Sequence, residues 1–269
     1  MKRMYFLIII IFTVIILSIC IFKQNENKKQ EKIETNLYKN YPFYKEELKE
    51  EYQEYQQKTN LSIKQSIINV NIGLNRPFYD NPVPSKNPNA LTVLVNKYNY
   101  LKADFEPNNL VTTEKYAKSN LKLQKEAYDA FTLMAQKAKQ ESLNLRIVSA
   151  YRSFAYQNSL YNNYLKYESQ EKVDTYSARS GHSEHQTGLA IDIDNIAVNY
   201  NRFQITQEFT WMQQNAYKYG FILRYPLGKE KITGYKYEPW HYRYVGIDIA
   251  NYIHDNDITF DEYYAEFLD

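Results

Sequence analysis

The sequence predicts an α+β protein: a single domain with a mostly antiparallel central sheet flanked by helices, preceded by an N-terminal transmembrane helix and a stalk. Three observations lead there. Over residues 61–269, strand-like alternation and helix-like periodicity are mixed without regular β-α-β order, which argues against a parallel sheet. The first 22 residues are apolar almost throughout, whereas residues 23–60 are dominated by Lys, Glu, Gln and Asn. The chain's 269 residues suffice for one substantial core plus appendages.

At the N-terminus, Lys2 and Arg3 precede an apolar run over residues 4–22, broken by Thr13 and Ser18. As a helix it spans about 28 Å, close to the hydrocarbon thickness of a bilayer. Positive charge before the run and none within it orients the N-terminus to the cytoplasm and everything after it outside. The run is longer than the ~7–15 apolar residues of a cleaved signal peptide, and no small-residue cleavage site follows. Processing at Cys20 would need a small residue where Ile19 stands. An uncleaved anchor over residues 1–22 is the preferred reading, which makes this a single-pass protein of the cell membrane with its domain extracytoplasmic.

Residues 23–60 are read as a polar, partly helical stalk, with Tyr44, Leu48, Tyr52 and Tyr55 spaced as on one helical face. The folded domain is expected over residues 61–269, with the metal-site core at about residues 120–246. Residues 67–74 alternate apolar and polar and suggest an early strand. A helix is expected over residues 121–142, capped by Ser119 or Asn120, with Ala127, Phe131, Met134, Ala135 and Ala138 on its buried face. Residues 145–150 read as a buried strand delivering Arg152 at its end. Residues 156–167 read as a second helix and 188–193 as a strand. Residues 207–219 read as a third helix ended by Gly220. Residues 221–225 and 240–245 complete the sheet, and 247–254 form a terminal helix.

Composition excludes some functions. Beyond the anchor, Lys and Arg (33 in the chain less Lys2 and Arg3) equal the 31 Asp and Glu, so there is no basic excess for nucleic acid. The single cysteine, Cys20, lies in the apolar run, so the domain carries no disulfide framework. Tyrosine is abundant, 28 residues, and core packing is taken to explain most of it.

The chemistry lies in two segments. Ser183-Glu184-His185-Gln186-Thr187-Gly188-Leu189-Ala190-Ile191-Asp192 is followed by Glu238-Pro239-Trp240-His241. Two imidazoles and a carboxylate, from His185, Asp192 and His241, would make a three-ligand zinc site with an open position, and Glu238 would be the base beside it. Extended chain would put His185 and Asp192 roughly 23 Å apart. The chain must therefore double back, and Gly188 permits the turn. Glu238 and His241 would lie on opposite faces of a regular strand, so a bend at Pro239 is required. His254 is expected to be a plain surface residue and His182 a loop residue.

Ser-x-His-x-x-Gly-x-Ala-x-Asp followed by Glu-x-x-His resembles the VanY-type zinc D-alanyl-D-alanine carboxypeptidases. The resemblance extends to Leu94-Val-Asn-Lys97 and Ser149-Ala-Tyr-Arg-Ser153. It implies one Zn²⁺ per chain on His185, Asp192 and His241, with Glu238 as general base and then acid. Arg152 would face the developing oxyanion, and Arg152, Gln157 and Ser183 would position substrate. The implied activity is removal of the C-terminal D-alanine from peptidoglycan stem peptides by a monomeric catalytic domain, its membrane contact made through residues 4–22. An L,D-carboxypeptidase acting on tetrapeptide stems would have the same metal site. A non-catalytic wall-binding module is the different-class alternative, and the intact quartet argues against it.

Overall fold

The computed structural model describes residues 22–24 and 37–269. The expected membrane anchor falls on residues outside that set, except for Phe22, and residues 25–36 of the expected stalk lie outside it too. Among the described residues no helix is long and apolar enough to cross a membrane. The chain divides into two compact units, Met1–Val70 and Asn71–Asp269.

The described residues of the first unit include the helix Lys49–Thr59 and all but the last residue of the helix Ile63–Asn71. Of the expected helical face, Tyr52 and Tyr55 lie on the first helix, Leu48 ends the 3₁₀ turn before it and Tyr44 precedes both. Tyr44, Leu48 and Tyr55 pack against a buried cluster of Tyr38, Tyr52, Ile67 and Val70. Asn60 closes the first helix in the left-handed conformation, its N–H donating to Gln56 O. The strand expected from residue 67 is instead the second helix. Ile63, Ile67 and Val70 recur at helical spacing, which competes with the period-two pattern in so short a run, and burial against Tyr52 favours the helix.

The second unit holds eight short strands. Val83–Pro84 (β1) and Asn99–Tyr100 (β2) pair in parallel, and Leu110–Thr112 (β3) and Lys122–Gln124 (β4) pair antiparallel. Arg146–Ser149 (β5), Ala190–Asp194 (β6), Phe221–Leu223 (β7) and His241–Tyr244 (β8) form the main sheet, ordered β5-β6-β8-β7 with every pair antiparallel. The expected mixed α+β domain is thus present. Alternation along the strands separates the sheet's two faces. Ile147, Ile191, Ile193, Tyr242 and Tyr244 join the main hydrophobic core with Phe131, Met134 and Ala138 of the helix Lys125–Gln140. Each fully buried Ile or Phe there contributes about 1.5–3 kcal/mol. The other face carries Asp192, His241 and Arg243.

That long helix begins four residues later than expected, and neither Ser119 nor Asn120 caps it. Residues 122–124 pair with β3 instead, which fully buries Leu123. The second helix is Phe154–Tyr164, earlier than expected, because the Ser153 hydroxyl accepts the Tyr156 N–H as its cap. The third is Gln207–Asn215, continued as a 3₁₀ turn to Tyr219 and closed by Gly220 at φ 82°. Helices at Ile247–Asn256 and Phe260–Phe267 end the chain, the last held by a Thr259–Glu262 capping box.

Candidate metal centre and cleft

Strand register sets the site. In the β6–β8 ladder Asp192 stands directly opposite His241. Their side chains therefore share a face, with Nδ1 of His241 3.0 Å from Oδ1 of Asp192. His185 reaches them from a 3₁₀ turn, Glu184–Thr187, that ends at Gly188 with φ 65°. A Cβ at Gly188 would lie 2.7 Å from Leu110 Cδ2, so both conformation and space call for glycine. This is the required reversal between His185 and Asp192. One ligating atom from each of His185, Asp192 and His241 falls within 4.8 Å of the others, and all three residues are buried.

Hydrogen-bond partners fix which atoms face the centre. His185 Nδ1 is 2.7 Å from the Ala150 carbonyl, which can only accept, so Nδ1 carries the proton. Its Nε2 lone pair then points toward Asp192 Oδ2, 3.3 Å away. For His241 the inward atom is Nδ1, and Nε2 points to the Glu184 carboxylate, 3.5 Å away. Two imidazoles and a carboxylate, each with its outer polar atom turned toward an acceptor or donor, is a donor set that fits zinc.

Glu238 lies just before β8. A turn through Pro239 and Trp240, with His241 N–H donating to Glu238 O at 3.1 Å, supplies the expected bend. It leaves Glu238 Oε2 3.9 Å from His241 Nδ1. Arg152 follows β5, where a register shift between Ile147 and Ser149 puts Ser149 opposite Asp192. The Arg152 guanidinium donates to Ser149 Oγ (3.0 Å), Gln157 Oε1 (3.1 Å) and Asp192 Oδ2 (2.8 Å), and lies 2.8 Å from His185 Nε2. Gln157, from the helix after Arg152, donates to Ala178 O at 2.8 Å. Ser183 is buried and lines the same cleft.

The protein's own groups set the local electrostatics. Burial pushes the Glu238 carboxyl up to about 8, reinforced by Asp192 and opposed by His241 and Arg152. Burial and then Arg152 push His185 down to about 4. For His241 burial acts downward, but the Asp192 and Glu184 carboxylates prevail and raise it to about 9. Burial likewise opposes ionisation of Asp192, yet His185, His241 and Arg152 hold its carboxyl well below the usual range.

The centre opens into a cleft of about 640 Å³. Seven tyrosines (156, 164, 176, 200, 225, 235 and 237) line it with Trp240, against which Tyr200 packs edge-on at 5.2 Å. Sequence reasoning gave no tyrosine such a place, because the residues come from separated loops and helices. It also passed over Glu184, which is buried between two motif positions. His182 is no ligand: it is buried, with Nδ1 2.7 Å from Asn96 O. His254 is an outlying residue stacked on Tyr217.

Residues 120–247 match the VanY family, described as D-alanyl-D-alanine carboxypeptidase. The chain is 42% identical over 192 residues to YodJ of Bacillus subtilis (strain 168), covering 67% of this chain and 69% of that one. It is 35% identical over 178 residues to the bifunctional D-Ala-D-Ala dipeptidase and carboxypeptidase VanXYC of Enterococcus gallinarum, covering 64% of this chain and 92% of that one. Among solved structures, the LdcB LD-carboxypeptidase is similar at TM-score 0.66 and 41% identity, over 70% of this chain and 91% of that one. A mutant of the D,D-pentapeptidase VanY from a VanB-type resistance cassette, in complex with Zn(II), is similar at TM-score 0.55 and 29% identity, over 64% and 97%.

Proposed function

This chain belongs to the VanY family of D-alanyl-D-alanine carboxypeptidases, and from that premise we propose that it removes the C-terminal D-alanine from peptidoglycan stem peptides. It is a zinc metallopeptidase. The observation that carries the site assignment is the convergence of His185, Asp192 and His241 beside Glu238 and Arg152. Zinc, when bound, supplies Lewis acidity to the scissile carbonyl and to the attacking water. Glu238 takes the proton from that water and later hands it to the leaving amine of D-alanine. Burial of its carboxyl, which raises proton affinity, suits a group that must both accept and return a proton. Arg152 offers fixed positive charge to the carbonyl oxygen as negative charge develops there. Gln157 holds the Arg152 fork from one side, and Ser183 offers a hydroxyl to the substrate from the cleft wall.

A second reading, an L,D-carboxypeptidase acting on tetrapeptide stems, is favoured by the higher identity and TM-score to LdcB than to the VanY structure. Mass spectrometry of stem-peptide digests separates the two. Loss of one D-alanine from a D-Ala-D-Ala pentapeptide is the expected result. Trimming of the tetrapeptide alone would transfer the assignment to the second reading, and no trimming by a zinc-loaded protein would overturn both. The proposal includes a single-pass anchor through residues 4–22, an extracytoplasmic monomeric domain and no nucleic-acid partner. It is supported by Lys2 and Arg3 flanking an uncharged apolar run. Deleting residues 1–22 should move the protein from the membrane to the soluble fraction as a monomer, and continued membrane pelleting would reject the anchor.

A further inference from the structure

We propose that Glu184 is a positioning residue for the metal: one of its oxygens accepts the outer proton of His241 and thereby leaves Nδ1 as the ligand atom. The inference rests on the zinc reading of the site and concerns a residue outside the metal set and the catalytic pair.

Glu184 has a fully buried side chain and sits one residue before His185. Two buried arginines meet it. Arg224 Nε approaches Oε1 at 2.7 Å and Arg243 NH1 approaches the same oxygen at 3.1 Å. A carboxylate serving only as counter-ion would be expected to share its oxygens between the two guanidinium forks. Here both arginines converge on Oε1. Among the described residues Oε2 makes no hydrogen bond and faces His241 Nε2 at 3.5 Å, and that nitrogen also has no hydrogen-bond partner. Two buried polar atoms of opposite character, each otherwise unsatisfied and each facing the other, form a pair that a small movement closes. His241 Nδ1 is meanwhile turned to Asp192 and Glu238. With the outer proton held at Nε2, Nδ1 is the nitrogen left to face the ion, inside the site.

The arginines give the carboxylate a rigid seat. Arg224 NH1 also binds Asp261 Oδ2 at 2.6 Å, on the last helix, and Asp261 Oδ1 accepts from Asn96 Nδ2 at 2.8 Å. Arg243 NH2 donates to the carbonyls of Leu91 and Val93 at 2.9 and 3.0 Å. Glu184 is thus the point at which a buried ionic network touches the metal site.

The test uses the full-length protein. Zinc affinity is measured by chelator competition, the visible spectrum after cobalt substitution, and unfolding temperature after chelation. Glu184→Gln keeps the volume but presents an amide that cannot satisfy two arginines and His241 together. It should lower zinc affinity about 10- to 100-fold and alter the cobalt spectrum. Asp261→Asn removes a partner of Arg224 without touching His241, so it should lower the unfolding temperature yet leave zinc affinity within about threefold. A merely structural Glu184 would make the two variants alike, with spectrum and zinc affinity intact. Should Glu184→Gln not fold, Glu184→Asp keeps the charge but withdraws the oxygen from His241. Zinc affinity within about twofold of the parent protein, in whichever variant folds, overturns the proposal. If the parent protein itself binds no stoichiometric zinc, the zinc reading fails first, and this proposal falls with it.

Discussion

The turn that carries His185 and the strand that carries His241 bring the same side chain to the same place, but they surround it differently. His185 is held by a neutral carbonyl, has a guanidinium beside it, and is pushed down to about 4 by burial and that charge. His241 stands between two carboxylates, which raise it to about 9 against the effect of burial. The first imidazole keeps a free lone pair across the neutral range. The second holds a proton there, and a cation must displace it. One site can therefore be preorganised on one side and proton-gated on the other, and burial alone decides neither.

The largest effect should come from the His241 side. Glu238→Ala is expected to reduce D-alanine release about 10²- to 10⁴-fold while leaving zinc content at the parent level. Substantial residual turnover in a quantitative D-alanine assay would remove Glu238 as the base. On the His185 side, Arg152→Ala should depress turnover about 10²- to 10³-fold with zinc retained, and Arg152→Lys should recover only part of it. Loss of metal on analysis of Arg152→Ala would show that this arginine builds the centre instead of serving the reaction.

The asymmetry itself is read by pH. Zinc must displace a proton from His241 below about 9 and none from His185 above about 4. Affinity should therefore rise with pH between 6 and 9 by roughly tenfold per unit from this one group, then level off. Chelator competition across that range measures it, and a flat profile would erase the contrast between the two imidazoles. The smallest effect is structural. Gly188→Ala places a side chain at φ 65° and against Leu110, which should cost about 1–2 kcal/mol in denaturant unfolding. Unchanged stability would show that the His185 turn is less constrained than its geometry implies.

Much of the site was legible because its chemistry is local in sequence. Residues 183–192 and 238–241 carry the ligands and the base, and even the need for a reversal at Gly188 and a bend at Pro239 followed from strand geometry. What was illegible was non-local. The β3–β4 pairing that shortens the long helix joins residues 110–112 to 122–124, and no periodicity within residues 121–142 announces it. The register shift that sets Ser149 opposite Asp192 is invisible without its partner strand. Residues 67–74 carry an ambiguous signal, because strand and helix periods overlap in a short apolar run. The last helix, absent from the expected elements, does carry a local signal in the capping-box spacing of Thr259 and Glu262. Glu184 occupies an unremarked position between Ser183 and His185, and only its arginines, forty and fifty-nine residues away, give it meaning.

The ladder that sets Asp192 against His241 has a further consequence. An ion held by both residues ties together strands forty-nine positions apart in a chain segment that has no cysteine. Such a tie exists only while the strands are paired, so the ion's binding free energy is added to the stability of the folded sheet. Metal supply would then act on the protein's lifetime as well as its catalysis, and loss of the ion would loosen the central strands first.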